Sequence, residues 1–477
     1  MMQTGTGISD CASETIEALQ QQGLHFQKTG AHGKAVAVYQ RILDCGHDNP
    51  AIRFNLGSAL LQLKQPANAL NHFEAGLQLN PHETGLRLGL ANAHKLLGNP
   101  AAAETALEQE LLLCPESIPA AVNLGWLLEE QNRVPEALVQ YRKAMYYQPN
   151  HPVLRWNHGL ACLMLGDYTR GWRDYEFRWA ARQNSKPVYS TPEWRGEPLR
   201  GRRLLLHTEQ GFGDTLMFAR FAQMLGQTEA VYLQCQPQLK RLLSQQPGCA
   251  GVVGTHESAP AHDVHAPLMS LPHLMGLQQE SELGDTPYLQ PVERSLQPLP
   301  GSPHPGGQRI GIVWASAPNS EIADQKSIPL SQFKSLFDTP HCQFYAMHMN
   351  AGPEDIAELN RHPNVHDLRE SIIDFEDTAG YLSQMDLVIS VDTAVAHLAG
   401  AMGKPTWTLL PHAADWRWRM HRADSPWYSS MRLFRQPRQG DWNRVLDEIS
   451  HCLFNHSAQL STRQLAGQLQ SAAALLG

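Results

Sequence analysis

The chain has no long apolar run. Nowhere in its 477 residues do the roughly 18 consecutive apolar residues needed to cross a bilayer occur together, so no transmembrane segment is expected. The polar start M-M-Q-T-G-T-G-I-S-D is not that of a signal peptide, and a cytoplasmic location is expected. Lysine and arginine form no long block and the net charge is -8, which argues against nucleic acid as a partner. The cysteines, at positions 11, 45, 114, 162, 235, 249, 342 and 452, include no C-x-x-C pair and no zinc-site spacing, and are read as reduced thiols. His262 and His265 form an H-x-x-H near His256 and His273, but no acidic or cysteine neighbour stands at ligand spacing, so neither a metal nor a cofactor is expected. What remains is an ordinary globular composition, 42% hydrophobic and 18% charged, in a chain long enough for about three domains.

The first third is periodic. Gly23, Gly57, Ala91, Gly125 and Gly159 lie 34 residues apart, as do Ala35, Ala69, Ala103, Ala137 and Gly171, and Pro81, Pro115 and Pro149 keep the same period. Small residues at two fixed positions let paired helices approach closely, and the proline ends each second helix. The pattern looks like five tetratricopeptide repeats. Stacked repeats form a groove suited to an extended peptide or protein partner. Asn55, Asn123 and Asn157 recur two residues before the small position and are candidates for gripping a peptide backbone, whereas Asn92 is out of register. The stretch 166–179 is unusually aromatic and basic; Trp172, Tyr175, Phe177 and Trp179 are read as capping the solenoid and gluing it to the next domain. Residues 184–199, with three prolines, read as an extended linker, with Trp194 as its plug.

Two α/β patterns come next. Arg203 to Thr208 reads as a strand, then E-Q-G-F-G-D-T as a sharp turn, then Leu216, Met217, Phe218, Phe221 and Leu225 as a helix face. Gly211 and Gly213 permit close backbone approach, and Asp214 lands at the helix start, where by position alone it reads as a cap. Val231 to Cys235 and residues 262–272 supply further strand and turn signals; Asp263, His265 and Ser270 are explained by packing or, on the resemblance given below, by a place in the cleft. A proline and glycine hinge at 299–307 precedes a strand at 309–314 and its exit loop A-S-A-P-N-S. Residues 375–386 read as an amphipathic helix capped by Asp377 and Thr378.

The stretch 386–411 organises this half. Leu387 to Val391 is a buried parallel strand, Asp392 and Thr393 are cap-type residues, and Ala394, Val395, Leu398, Ala399 and Met402 recur at helical spacing before Gly403-Lys404-Pro405. A helix that begins at the carboxyl end of a parallel strand favours an anion there. Thr393 and His397 share one helix face near that corner; the histidine is either a satisfied core residue or a donor to a diphosphate.

The motif S-V-D-T-A-x-x-H-L-A at 390–399 resembles the C-terminal nucleotide-sugar motif of the heptosyltransferase-like enzymes, glycosyltransferase family nine. The resemblance implies an α-helical tetratricopeptide solenoid (1–183) followed by an α/β GT-B fold with two Rossmann-like lobes: an acceptor-side lobe at 200–298, short for this family, and a nucleotide-sugar lobe at 308–456, closed by a C-terminal helix at 457–477. It implies Asp214 as general base and Lys326 as the cation beside the departing diphosphate. Ser316, Asp392, Thr393, Ala394, His397 and Arg417 are the implied donor-side residues, and Glu209, Gln210, Gly211, Gly213 and His265 the acceptor-side candidates. No D-x-D, a common metal-holding tripeptide of the other main glycosyltransferase architecture, occurs in the chain. The expected activity is metal-independent inverting transfer from a nucleotide sugar, to a protein held by the repeats. A lipopolysaccharide acceptor and a non-catalytic scaffold that senses a nucleotide sugar are the alternatives. Trp416, Trp418, Trp427 and Arg419 either contact ligand or fasten the lobes together.

Overall fold

The computed structural model describes residues 15–183, 185–291, 297–301, 307–317 and 323–455. The chain divides into two compact units between His158 and Gly159. The proposed terminal helix at 457–477 lies outside the described residues, as does most of the 299–307 hinge.

The first unit is built of antiparallel helix pairs: α1 (Ile16–Lys28) with α2 (His32–Asp44), α3 (Pro50–Gln62) with α4 (Pro66–Leu79), α5 (Leu86–Leu96) with α6 (Pro100–Leu113), and α7 (Ile118–Glu130) with α8 (Val134–Tyr147). The period of 34 has a steric cause. A methyl group added at Gly23 would lie 2.6 Å from the Tyr39 ring, at Gly57 2.6 Å from Phe73, and at Gly125 2.2 Å from Tyr141. Each first helix thus gives up its side chain to admit a buried aromatic ring from the second helix. The third repeat places Ala91 and Leu107 at these positions, a larger small residue matched by a smaller partner, both buried.

The division falls within α9 (Pro152–Leu165), so α10 (Tyr168–Tyr175) and α11 (Arg178–Ala181) belong to the second unit. There the chain builds two parallel sheets. The first comprises β1 (Arg203–His207), β2 (Ala230–Cys235), β3 (Gly251–Gly254) and β4 (Val264–Pro267) in the order β3-β2-β1-β4. Its connections carry α12 (Phe212–Phe218), α13 (Arg220–Gln223) and α14 (Pro237–Leu243), and α15 (Leu271–Leu274) comes after β4. The second sheet holds β5 (Gln308–Val313), β6 (Cys342–Ala346), β7 (Val365–Asp367), β8 (Leu387–Val391), β9 (Thr406–Leu410) and β10 (Met431–Arg435) in the order β10-β9-β8-β5-β6-β7. Its helices are α16 (Ala323–Lys326), α17 (Lys334–Phe337), α18 (Pro353–Leu359), α19 (Phe375–Ser383) and α20 (Ala394–Ala401).

Every residue of β8 is buried, as a parallel strand covered on both faces requires. Ile310, Ile312, Phe344, Ile389, Val391 and Leu409 form the sheet side of one continuous core, in which shortening a leucine to alanine costs ~2–5 kcal/mol. Both strand orders contain a reversal, between β1 and β4 in the first sheet and between β5 and β8 in the second. Crevices open beyond the carboxyl ends of the strands at such points, and they fall here at the Thr208–Gly213 turn and at the Trp314 and Asp392 corner.

Three local expectations need correction. The cap of α19 is Asp374, whose carboxylate accepts from the backbone of Glu376 at 2.9 Å and of Asp377 at 3.3 Å; Asp377 instead accepts from Ile373 N at 3.0 Å and pairs with Arg241. Asp263 does not line a cleft: it sits at the amino ends of the strands, clamped to Arg203 at 2.8 Å from its backbone N and 2.9 Å from its guanidinium. Cys45 is disulfide-bonded; Cys114, Cys162, Cys235, Cys249, Cys342 and Cys452 form no disulfide, and Cys11 lies outside the described residues. Of the two alternatives for Arg419 the structure bears on the packing one: its guanidinium is taken up by Leu165 O at 3.0 Å and Tyr168 Oη at 3.3 Å, and lies 5.7 Å over the Tyr168 ring. Among the described residues no helix is long and apolar enough to cross a membrane.

Candidate functional site

The corner after β8 is built by capping chemistry. Thr393 is the N-cap of α20; its hydroxyl accepts from Ala396 N at 3.5 Å and lies 3.0 Å from Ser390 Oγ. Ala394 opens the helix, and its first turn is only half-buried, which leaves the positive end of the helix dipole approachable. Asp392 is buried beneath it and receives the Lys326 ammonium at 2.5 Å. Burial works against both charges, but each holds the other ionised: Lys326 is raised and Asp392 lowered from its ordinary value. Ser316 sits in the exit loop of β5, its backbone N–H bonded to Ser327 Oγ at 3.0 Å, which ties that loop to the segment following Lys326.

His397 is packed on all sides. Its ring stacks on Trp418 at 5.1 Å, its Nδ1 is 2.9 Å from Tyr428 Oη, and its Nε2 is 3.9 Å from Asp392 Oδ1. Burial depresses its pKa to about 4, so the imidazole is neutral near neutral pH.

The other lobe meets this corner through the G-F-G-D turn. Gly211 is the N-cap residue of α12, and the Asp214 carboxylate accepts from Gly211 N at 3.0 Å. Its second carboxylate oxygen is bonded to the guanidinium of Arg417, which comes from the half built on the second sheet. Arg417 is buried, also holds Asp415 at 2.6 Å, and lies 4.4 Å over the Trp416 ring; the two carboxylates keep it charged against the cost of burial. A methyl group on Gly213 would sit 2.8 Å from His397 Cδ2, so glycine is what allows the two lobes to touch there. The facing surfaces are further joined by Arg241 with Asp374 at 3.1 Å and by the Phe212 and Phe375 rings at 5.1 Å. Asp214, Arg417, Gly213, His397, Asp392, Lys326 and Thr393 therefore form one contiguous cluster across the lobe junction. Within it Asp214 is paired with Arg417 and Asp392 with Lys326, so each carboxylate has a cation partner.

The remaining candidates are placed differently. Glu209 is held in a buried ion pair, 2.7 Å from Arg178 Nη2; burial pushes its carboxyl up while the guanidinium opposes the shift. Gln210 donates to Tyr175 Oη at 3.1 Å and accepts on its backbone from Gln236 at 2.7 Å. His265 faces His207 at 5.6 Å and Tyr189 at 4.6 Å within the first sheet, and burial lowers both imidazoles, His207 to about 3. It makes no described contact with the Asp214 cluster. In the repeats Asn157 is buried, whereas Asn55 and Asn123 are half-buried.

Sequence reasoning missed Tyr428 and Asp415, which support His397 and Arg417, and Arg178, which holds the turn; Trp418, left open between ligand contact and lobe packing, stacks on His397. The only signal was the aromatic and basic character of 166–179 and 415–436. In the structure Trp172 of the first segment packs edge-on against Trp416 at 5.6 Å and Trp427 at 6.3 Å of the second, and against Phe218 at 6.0 Å.

Residues 311–444 match the model of glycosyltransferase family 9 (heptosyltransferase). Residues 60–112 match one tetratricopeptide repeat model, and 21–84 with 88–152 match another. Protein FlbA of Caulobacter vibrioides is 26% identical over 436 residues, spanning 85% of this chain and 72% of that protein. Among solved structures, a thermophilic repeat protein of Thermus thermophilus, TTC0263, is 16% identical and covers 36% of this chain and 92% of its own, with a TM-score of 0.31. The MamA protein is likewise 16% identical, over 36% of this chain and 98% of its own, with a TM-score of 0.30.

Proposed function

We propose that this chain, tetratricopeptide repeats followed by a glycosyltransferase family 9 domain, catalyses metal-independent inverting transfer of a sugar from a nucleotide-sugar donor to a hydroxyl on a protein recruited by the repeats. The observation that carries the reading is the contact of Asp214 and Gly213 with Arg417 and His397 across the lobe junction. It sets a carboxylate from one lobe against an anion-favouring helix start and a buried lysine from the other.

The roles derive from the chemistry. The acceptor hydroxyl attacks the anomeric carbon from one side while the bond from that carbon to the diphosphate oxygen breaks on the other. Asp214 takes the hydroxyl proton; its hydrogen bonds to Gly211 and Arg417 hold the carboxylate in one orientation. The departing nucleoside diphosphate gains negative charge and is met by Lys326, Thr393, the amides opening α20 and Arg417. Lys326 spends one of its three donors on Asp392, which fixes the ammonium in place and leaves the others for phosphate. His397, neutral and tied to Tyr428 through Nδ1, offers its other nitrogen to the same corner.

Full-length protein titrated with ADP-, UDP-, GDP- and CMP-linked sugars should show a thermal shift with the true donor, because binding to the native state raises stability by mass action. Asp214→Ala should keep that shift and lose transfer. A donor shift with turnover unaffected by Asp214→Ala removes the base assignment, and a shift without turnover in the parent protein favours the sensing scaffold. Labelled donor that ends up on lipopolysaccharide and not on protein decides the acceptor the other way.

A further inference from the structure

The crevice beyond β1 and β4 is the ligand-binding position of the first sheet, and a side chain from the helices that end the repeat array reaches into it. Arg178 is 2% exposed. Its guanidinium donates to Glu209 at 2.7 Å on the turn after β1 and to Ser270 at 2.9 Å on the turn after β4. It also donates to Glu176 at 2.8 Å, which itself accepts from Ser270 at 2.9 Å. Beside it Tyr175 Oη receives Gln210 at 3.1 Å. One residue further on, Gly211 N–H bonds Asp214 at 3.0 Å. Three successive residues of the turn, Glu209, Gln210 and Gly211, are thus each fixed by a polar contact, the first two from the helices following the last repeat. Replacing a buried ion pair by apolar side chains of similar volume is often neutral or stabilising, so stability alone is weak grounds for a charged cluster here, and the fixed geometry it gives the turn is the better account.

We propose that Arg178 is a positioning residue, with Tyr175 as its accessory: together they lock the 208–211 turn and, through it, the Asp214 carboxylate, so the segment closing the repeat array is part of the transfer machinery. The proposal rests on Asp214 being the base. Glu209 then acts as an anchor for the turn and not as a second base.

The test uses the full-length chain with three variants: Arg178→Met combined with Glu209→Leu, Tyr175→Phe, and Asp214→Asn as the reference. Melting temperature, the shift given by the ADP-, UDP-, GDP- and CMP-linked sugars, and kcat from nucleotide release are measured for each. The double variant removes both members of the ion pair and should keep its melting temperature and donor shift, while kcat falls by ~10- to 100-fold, the usual cost of misplacing a reacting group by about 1 Å. Tyr175→Phe should fold normally and lose kcat by a smaller factor, with KM for the donor unchanged. A merely structural role predicts that turnover returns with stability, so parental kcat in a folded double variant overturns the proposal. If the double variant does not fold, the decision passes to Tyr175→Phe, where an unchanged kcat has the same force. Parental turnover in Asp214→Asn sinks the base assignment and this proposal with it, whereas an inactive Asp214→Asn beside fully active Arg178 and Tyr175 variants sinks this proposal alone.

Discussion

Acid should unfold this protein partly through one histidine. The folded pKa of His397 is held near 4 by burial, against an ordinary value of about 6.5 in the unfolded chain. Between those values the unfolded state binds more protons than the native one, so stability rises with pH and the contribution is complete only above about 6.5. It is lost progressively as pH falls toward 4. Linkage over the interval from pH 7.5 to 5.0 gives about 2 kcal/mol from this residue alone. His397 faces Asp392, Arg417, Tyr428 and Trp418. Asp392 is held below the usual carboxylate range, so its own loss falls at lower pH than this window. The assay is urea unfolding at several pH values, followed by tryptophan fluorescence. All tryptophans except Trp126 and Trp156 lie beyond residue 158, so the signal reports the second unit. Comparison with His397→Gln cancels other groups, His207 among them, and the parent should lose about 2 kcal/mol more than the variant between pH 7.5 and 5.0. Parallel curves for the two proteins would refute the reasoning.

Three further outcomes rest on packing and charge. Lys326→Met alone strands a buried carboxylate and should cost ~3–5 kcal/mol in urea unfolding, while Lys326→Met with Asp392→Leu should recover most of it and still show no donor thermal shift. Gly213→Ala places a methyl group 2.8 Å from the His397 ring; a loss of ~1–3 kcal/mol and a fall in kcat are expected, both measurable in one preparation. Gly125→Ala drives a methyl group to 2.2 Å from the Tyr141 ring and should destabilise the repeat unit by a comparable ~1–3 kcal/mol with donor binding untouched, as read by circular dichroism and thermal shift.

The repeats and the strand, cap and helix of 386–411 were legible because each depends on local rules: a fixed spacing of small residues, an apolar run, a threonine before a helix. The strand at 309–314 emerged one residue earlier, at Gln308–Val313, an error of the usual size for element ends. The cap of α19 was misjudged because Asp374 and Asp377 are equally good caps by type, and only the backbone conformation of Asp374 selects between them. The cluster at the lobe junction was less accessible. Asp214 and Arg417 stand 203 positions apart, and nothing local marks them as partners. Asp263 was misplaced for a related reason: in a parallel sheet both ends of a strand carry polar residues, and the sequence does not say which end faces the ligand.

The position of the division within α9 has an evolutionary consequence. Every contact described at the lobe junction, including those of Tyr175 and Arg178, is made by residues after Gly159. On the proposed function, changes in the upstream repeats would alter acceptor recruitment while removing none of these contacts, so recruitment and transfer would diverge at different rates within one gene.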